Sequence, residues 1–509
     1  MEHLEVAANR GDADSARELG DRFFHGREGL AKDEVKAVRW YRKAADQGHV
    51  MAIADLGYCT LNGLGGLDKD ESKALALFQV ADARGNAYAA RMIGWMCEWG
   101  KGTPKDDGRA AEWYRRAADL DDEEALVSLA WLTECGRGVP KDDQAAARMY
   151  AVGVSKGNAI ALNNLGWFYL TGRGGLPKDY NLARHMFEVA AVKGNARADG
   201  NLGYLYEQGL GVPRDVVAAM SHFRDAVKGG DLLAQQHLGY VYESGQLVPR
   251  DPAQAFHCFS LAAAQGDRPS FQGLTRILLG RPALDPEDAA SLLALCRNHL
   301  EQGLTEARLP LALALLLGIG APAQPEEAKR HFLEATHEQP PSPYLPVIAK
   351  QFQFGLGTPR DPGFARSLLE SMVEHGAPGA RVDLAKSLLD ESGELQAKGV
   401  SILRELSRAG DAKATFELGL LHQNGRAVPM STTKALALFS QAAEGGLAEA
   451  MFHLGLLHQA GIGVKKDPTK AKGWYLKAET AGWPLAKGRV LPDGKLAPLT
   501  ALPGFHPAK

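Results

Sequence analysis

GNAIALNNLGWFYLTGRGGLPKDYNLARHMFEVAAVKG, residues 157 to 194, decides the fold. In its first half, from Ala159 to about Thr171, Leu162, Leu165, Phe168 and Tyr169 recur at the spacing of one apolar helix face. Gly172, Gly174 and Gly175 stop that helix, because glycine reaches helix-ending backbone angles at little steric cost. Pro177 and Asp179 open the second half, with the Asp179 carboxylate placed to accept hydrogen bonds from the first free N–H groups of a helix. That helix is expected to run to Lys193, with Leu182, Phe187, Val189 and Ala190 available for packing, and Gly194 closes it.

The same layout fills the chain. Aligned on the closing glycine, the anchors are Gly11, Gly48, Gly85, Asp121, Gly157, Gly194, Gly230, Gly266, Gly303, Pro340, Gly376, Gly410, Gly446 and Gly482, spaced 34 to 37 residues apart. Nine residues after most anchors stands the glycine of a Leu-Gly or Ile-Gly pair: Gly20, Gly57, Gly94, Gly166, Gly203, Gly239, Gly419 and Gly455. A glycine inside a helix costs ~1 kcal/mol, so its recurrence implies close approach of a neighbouring helix. Ala130 breaks the series and predicts a slightly wider helix pair there. The helix-opening aspartate recurs as Asp70, Asp106, Asp142, Asp179, Asp215 and Asp251. A period in the mid-thirties with two helices per unit means stacked hairpins, each burying its apolar face against the next.

The stretches LGYLYEQGLGVPRD (202 to 215), LGYVYESGQLVPRD (238 to 251) and KAVRWYRKAADQG (36 to 48) resemble the Sel-one-like repeat family, a relative of the tetratricopeptide repeat with a longer glycine-rich loop. The resemblance covers roughly residues 11 to 482. It implies an all-α, right-handed α-solenoid, here of about thirteen helix-turn-helix repeats of 36–37 residues, and members of this family are mostly adaptors that hold other proteins. The expected organisation is an N-terminal cap (1–10), regular repeats (11–266), degenerate repeats (267–375), C-terminal repeats (376–482) and an extended proline-rich tail (483–509). Within the degenerate part, HEQPPSPYLP (337–346) reads as a break, a hinge or a partner-binding insertion. The tail is a candidate to fold back over the last repeat, since a solenoid end otherwise exposes its core.

Composition narrows the function. A net charge of −3 without basic runs argues against a nucleic-acid groove. The start, MEHLEVAANRGDADSAREL, lacks the basic and apolar regions of a secretory signal, and the most apolar run, LALALLLGIG (311–320), is too short to span a bilayer. These point to a cytoplasmic, soluble protein with no membrane insertion. Cys59, Cys97, Cys135, Cys258 and Cys296 show no paired spacing and read as reduced, small core residues. A cysteine-rich branch of the family binds penicillin-type ligands, and the missing cysteine pairs set this chain apart from it. No GxSxG, HExxH or recurring Cys–His–acid set is present, so the expectation is a non-enzymatic protein without cofactor or metal. His422 and His458 hold equivalent places with His453 nearby, a slot filled elsewhere by Tyr169, Tyr206 and Tyr242, which favours packing over metal binding. The loops GRGG (172–175) and GLG (209–211) lack the Lys-Ser/Thr of a phosphate cradle and read as helix connectors.

By analogy with the tetratricopeptide superhelix, the first helix of each pair lines the concave face, and the residue after the Leu-Gly pair points inward. Here that position reads Tyr58, Trp95, Trp131, Trp167, Tyr204 and Tyr240 in successive repeats, then Arg276, Leu313, Lys350, Lys386, Leu420 and Leu456. Three residues further on stand Glu98, Glu134, Glu207 and Glu243, with Leu170 interrupting. Like helices of stacked repeats lie on the order of 10 Å apart. An extended peptide (~3.3 Å per residue) or a polyproline helix (~3.1 Å) would therefore meet one ring about every third residue. Two readings stand side by side: the aromatic row contacts a protein or peptide partner rich in basic, apolar or proline residues, or each ring packs between helices. The favoured function is a protein-binding scaffold. The alternatives are a bacterial toxin-immunity or regulatory protein, and a penicillin-type hydrolase.

Overall fold

The computed structural model describes residues 2–491 and 495–498; the expectation for the tail over 492–494 and 499–509 lies outside the described residues. Among the described residues the chain forms twenty-seven α-helices and two short 3₁₀ turns, and its one β-type contact is an isolated antiparallel bridge, Val490 to Leu496. It divides into two compact units, Met1–Asp251 and Pro252–Lys509. No helix among the described residues is long and apolar enough to cross a membrane.

The deciding stretch folds as its residues dictate. Helix Ala159–Thr171 is capped by Asn158, whose side chain accepts from Ile160 and Ala161 N–H, and ends at Gly172 with φ 70°. Helix Tyr180–Val192 is capped by Asp179, which accepts from Asn181 and Leu182 N–H at 3.0 and 2.9 Å. The chain then turns through Gly194 at φ 86°. Asp121 takes the same left-handed conformation at φ 68°, which explains why an aspartate can stand in the glycine series. Pro340 cannot, because its ring fixes φ near −65°. The next helix, Leu345–Phe354, starts late and spans 10 residues where regular first helices span 13.

The Leu-Gly glycine has the reason expected of it. A Cβ on Gly166 would sit 2.8 Å from the Phe187 ring and 3.3 Å from the Ala183 carbonyl, so the second helix of the hairpin lies directly on its backbone. Phe187 is fully buried, and burial of such a side chain contributes ~1.5–3 kcal/mol. At Ala130 the partner Tyr150 is also fully buried, and its hydroxyl reaches Glu134 at 3.0 Å against 2.8 Å for Tyr114 to Glu98 in the preceding repeat. A second glycine requirement was not visible in the sequence. Gly174, in the loop, would carry a Cβ 2.7 Å from the Asp143 carbonyl, so each loop seats on the head of the preceding repeat's second helix.

In the first unit, helix Glu2–Asn9 places Ala8 and Leu4 against Ala16, Leu19, Ala44 and Ala52. Regular hairpins follow up to helix Leu232–Ser244. In the second unit the weakened sequence gives uneven helices: Pro286–Glu301 spans 16 residues, and the apolar run lies in the buried helix Arg308–Leu317, which takes Leu313 out of any surface row. Regular hairpins return from Ala412. The described residues beyond Gly482 fold back over the last repeat, the second of the two readings of the tail: Trp483, Val490 and Leu496 pack against Phe452 and Tyr475. Arg489, only 4% exposed, donates to Gln459 and to the Ala497 and Pro498 carbonyls at 2.8, 2.9 and 3.2 Å.

Four cysteines are buried and free, as small core residues should be, but Cys135 is exposed at the end of its helix beside Gly136. Burial pushes the Cys59, Cys258 and Cys296 thiols up to about 12.

Candidate functional site: a groove on four successive first helices

The residue after each Leu-Gly pair faces solvent. Tyr58, Trp131, Trp167, Tyr204 and Tyr240 are 37–40% exposed, unusually open for rings of this size. Trp95 departs from the row: it is half-buried and packs against the core around Ile93 and Met96. Tyr58 sets its ring edge-on to Phe24 at 6.2 Å. The remaining four line one continuous trough within the first unit, made of three adjoining cavities of about 450, 210 and 310 Å³ that share Trp131, Trp167, Arg197 and Asn201.

The walls of the trough follow a rule. Each of four successive first helices contributes residues at i, i+4 and i+7: Glu124, Ser128 and Trp131; Ile160, Asn164 and Trp167; Arg197, Asn201 and Tyr204; Leu233, His237 and Tyr240. That spacing is one face of an α-helix. Each helix therefore shows a ring at one end of its face, a polar side chain in the middle and a variable residue at the other end. The amides are linked: Asn201 Nδ2 donates to Asn163 Oδ1 at 2.8 Å, and Asn163 Nδ2 donates to Asn164 Oδ1 at 3.0 Å. The arginines at the rim are paired across repeats, Arg91 with Asp122 and Glu124 at 3.1 and 2.7 Å, and Arg197 with Asp231.

The acidic row meets the trough only in part: Glu98 and Glu134 line its cavities, but with carboxylates already engaged within the chain, while Glu207 and Glu243 do not line it. Glu98 is buried; it accepts from the Tyr114 hydroxyl at 2.8 Å and from Arg137 Nη1 at 3.2 Å. Arg137, in the next loop, also grips Asp107 with Nε and Nη2 at 2.9 and 2.7 Å and lies 4.7 Å over the Trp131 ring. One repeat later the pattern is copied: Arg173 holds Asp143 at 3.0 and 3.0 Å and Glu134 at 3.0 Å, and Glu134 accepts from Tyr150. The guanidinium hydrogen bonds hold the Asp107 and Asp143 carboxyls below the usual carboxylate range. These forks join adjacent repeats with the strongest kind of protein hydrogen bond. Lys101 approaches Glu71 only at 3.7 Å in the preceding interface, as a point charge without the fork.

Leu170 now has an explanation. Its hairpin partner is Phe187, which has no hydroxyl to donate, so an apolar residue fits where an acid would lack a partner. Phe78 opposite Leu61 repeats the arrangement. Glu207, opposite Phe223, takes His237 Nε2 at 3.0 Å instead. Glu243 is half-buried at the same place on its own helix. Of the sequence row, Trp131, Trp167, Tyr204 and Tyr240 stand in the groove with Glu98 and Glu134, Tyr58 and Trp95 do not line it, and Glu98, Glu134 and Glu207 serve as acceptors within the chain. Asn164, Arg197, Asn201, Leu233 and His237 were missed by reading only one position per repeat. Counting back three and seven residues from each ring finds them.

The histidine slot is a packing one. His422 is buried with Nδ1 3.1 Å from the Pro429 carbonyl, and His453 lies between Phe416 and Phe439 with Nε2 2.9 Å from Gln423 Oε1. Desolvation lowers the His453 pKa to about 4. Among the described residues no three His, Cys, Asp or Glu side chains converge as a metal site would require.

Among solved structures, the chain is similar to a protective antigen with an SLR fold from uropathogenic Escherichia coli (24% identity, covering 95% of this chain and 88% of that one, TM-score 0.47). It is also similar to a Sel1 repeat protein from Oxalobacter formigenes (27%, 48% of this chain and 96% of that one, 0.44). A further likeness is to an immunity protein from Pseudomonas aeruginosa (23%, 41% and 80%, 0.32). No curated protein sequence matches the chain. The Sel1 repeat profile, however, matches residues 13–49, 50–86, 87–122, 123–158, 159–195, 196–231, 232–267, 306–338, 352–376, 412–447 and 448–483. With hairpins, capping aspartates and helix-packing glycines repeating in register over most of its length, the chain belongs to the Sel1 repeat family.

Proposed function

We propose that this protein is a non-enzymatic scaffold that holds an extended segment of a partner protein in the trough formed by its first helices between Glu124 and Tyr240. The observation that carries this reading is the regular display of rings 37–40% exposed on four successive first helices of the first unit. Rings on the order of 10 Å apart meet an extended chain about every third residue, and the intervening amides can pair with its backbone. Because Glu98, Glu134 and Glu207 already accept hydrogen bonds within the chain, the partner need not be basic. Aromatic surface of this kind supplies contact area at low conformational cost.

The test compares the full chain with a Trp131→Ala, Trp167→Ala variant of unchanged circular dichroism, each used to capture proteins from native lysate. A protein enriched by the wild type and lost from the variant supports the trough as the binding surface. Partners retained equally by both would refute it.

A further inference from the structure

If the trough is the binding surface, as proposed above, its spacing and charge also select the occupant. The four rings hold the same place on four successive first helices, so they repeat with the stacking of the array, on the order of 10 Å. A β-strand rises ~3.3 Å per residue and turns successive side chains to opposite faces. Its same-face side chains therefore recur at about 6.6 and 13 Å, and the residue ~10 Å along points away from the wall. A polyproline helix rises ~3.1 Å per residue with ~3 residues per turn, which returns every third residue to one face about 9 Å further on. Only the second conformation gives each ring a side chain of its own.

The charges lining the trough are answered within the chain. Arg91 pairs with Glu124 and Arg197 with Asp231, while Arg137 and Arg173 hold Glu98 and Glu134. Those pairs include every Arg, Asp and Glu that lines it. A charged side chain brought into contact would lose water without gaining a free counter-charge, so the wall fits an uncharged segment. What the wall still offers is hydrogen-bond donors. The indole N–H groups of Trp131 and Trp167 and the Tyr204 hydroxyl make no hydrogen bond among the described residues, and an indole only donates. Polyproline backbone is the complement. It makes no internal hydrogen bonds, so its carbonyls stay open as acceptors, and proline has no N–H to leave unpaired. Its stiffness also lowers the ordering cost of binding.

The second unit lacks this combination. A cavity of about 290 Å³ lies there on the equivalent helix face, but Lys350, Lys386 and Leu420 hold the ring places. We infer that the first unit's trough binds an uncharged, proline-rich segment in the polyproline conformation. Residues three apart in that segment each meet one of Trp131, Trp167, Tyr204 and Tyr240.

Calorimetric titration of the full chain with synthetic peptides tests this. The probes are end-blocked twelve-residue peptides: dodecaproline, an alternating Thr-Ala strand former, (Pro-Pro-Lys)4 and (Pro-Pro-Glu)4. Dodecaproline should bind at least tenfold more tightly than the Thr-Ala peptide, and neither charged peptide should bind more tightly than dodecaproline. Trp131→Ala with Trp167→Ala should weaken dodecaproline at least tenfold. Trp131→Phe with Trp167→Phe, which keeps the rings and removes both donors, should weaken it at least threefold. Tyr204→Ala with Tyr240→Ala gives the same readout from the other end of the trough if the tryptophan pair disturbs the fold. Equal binding of dodecaproline and the Thr-Ala peptide, a tenfold preference for a charged peptide, or dodecaproline binding indifferent to both ring pairs would overturn the inference. Absent dodecaproline binding, with lysate capture still lost in the Trp131→Ala, Trp167→Ala variant, would overturn it and leave the trough as the binding surface. Capture unaffected by that variant would refute the surface and the inference together.

Discussion

Replacing Arg173 by methionine isolates the contact between two repeats. The guanidinium makes three hydrogen bonds of 3.0 Å, two to Asp143 and one to Glu134, and lies 4.9 Å over the Phe168 ring. Side chains of Arg173, Asp143 and Glu134 are 31%, 27% and 17% exposed, so water screens the pairing only in part. Hydrogen bonds to charged groups contribute ~1.5–3 kcal/mol each when sheltered, and exposed ion pairs ~0–1 kcal/mol. For this half-sheltered fork the expected loss is about 2 kcal/mol in total. Methionine keeps the aliphatic stem over Phe168, which limits the packing loss. The loss should appear at pH 7 in urea titrations followed by circular dichroism. It should also depend on pH. The Asp143 pKa is lowered in the folded protein by the Arg173 hydrogen bond, so its contribution is present above the unfolded carboxyl value of 3.8 and disappears as pH falls through the folded one. The gap between wild type and Arg173→Met should hold from pH 5 to 8 and shrink below about pH 4. A difference under about 0.5 kcal/mol at pH 7, or one unchanged at pH 3, would refute the reasoning.

Gly203→Ala would push a Cβ to 2.7 Å from the nearly buried Phe223 ring; overpacking costs ~1–3 kcal/mol and exceeds the ~1 kcal/mol gained in helix propensity. On a Phe223→Leu background the same change should cost less, as measured by the difference in unfolding free energy. His453, with its pKa lowered to about 4 by burial, stays neutral in the fold where the unfolded residue would take a proton below 6.5. Stability should therefore fall by on the order of 3 kcal/mol as pH drops from 6.5 to 4, and His453→Gln should lose that slope in acid titrations. Glu134→Leu and Tyr150→Phe each strand a polar partner, whereas together they recreate the Leu170–Phe187 pairing. A double-mutant cycle should show coupling of about 1 kcal/mol or more, and additive losses would contradict it. Thiol titration of the native protein should find one fast-reacting cysteine, Cys135, and five after denaturation.

Helix boundaries were legible because they rest on local chemistry. Asp179 caps a helix wherever its carboxylate meets free N–H groups, and Gly172 ends one because its backbone can turn left-handed. The purpose of Gly166 was legible for the same reason: a costly residue that recurs must have a steric cause. The role of Glu134 was not. Its two partners, Tyr150 and Arg173, lie 16 and 39 residues later, and only the register between stacked repeats decides that both reach it. The trough was half legible. The ring position followed from the repeat, but Asn164, Asn201 and His237 required knowing which face of each helix is left open. The tail was expected to extend or to fold back over the last repeat, but the part played by Arg489 was not legible, because its binding site exists only once Gln459 and Tyr475 are assembled.

Positions within a Sel1 repeat divide by the constraint on them, and on the proposed function that division says where specificity would reside. Gly166 and Phe187 are fixed by contact inside a hairpin, and Glu134 by a network that spans two repeats. Changing any of these alters stability before it alters binding. The face at i, i+4 and i+7 carries no such burden, because Trp167, Tyr204 and Tyr240 remain open in the folded chain. Composition there can drift without unfolding the array, and it does: rings and amides in the first unit give way to Lys350, Lys386 and Leu420 in the second. The same packing rules thus produce two faces of different chemistry, and binding by one cannot be inferred from the other. A partner that stacked on Trp131 and Trp167, as proposed, would find no ring at the equivalent places beside Phe354, even though the helices that frame the two cavities are built alike.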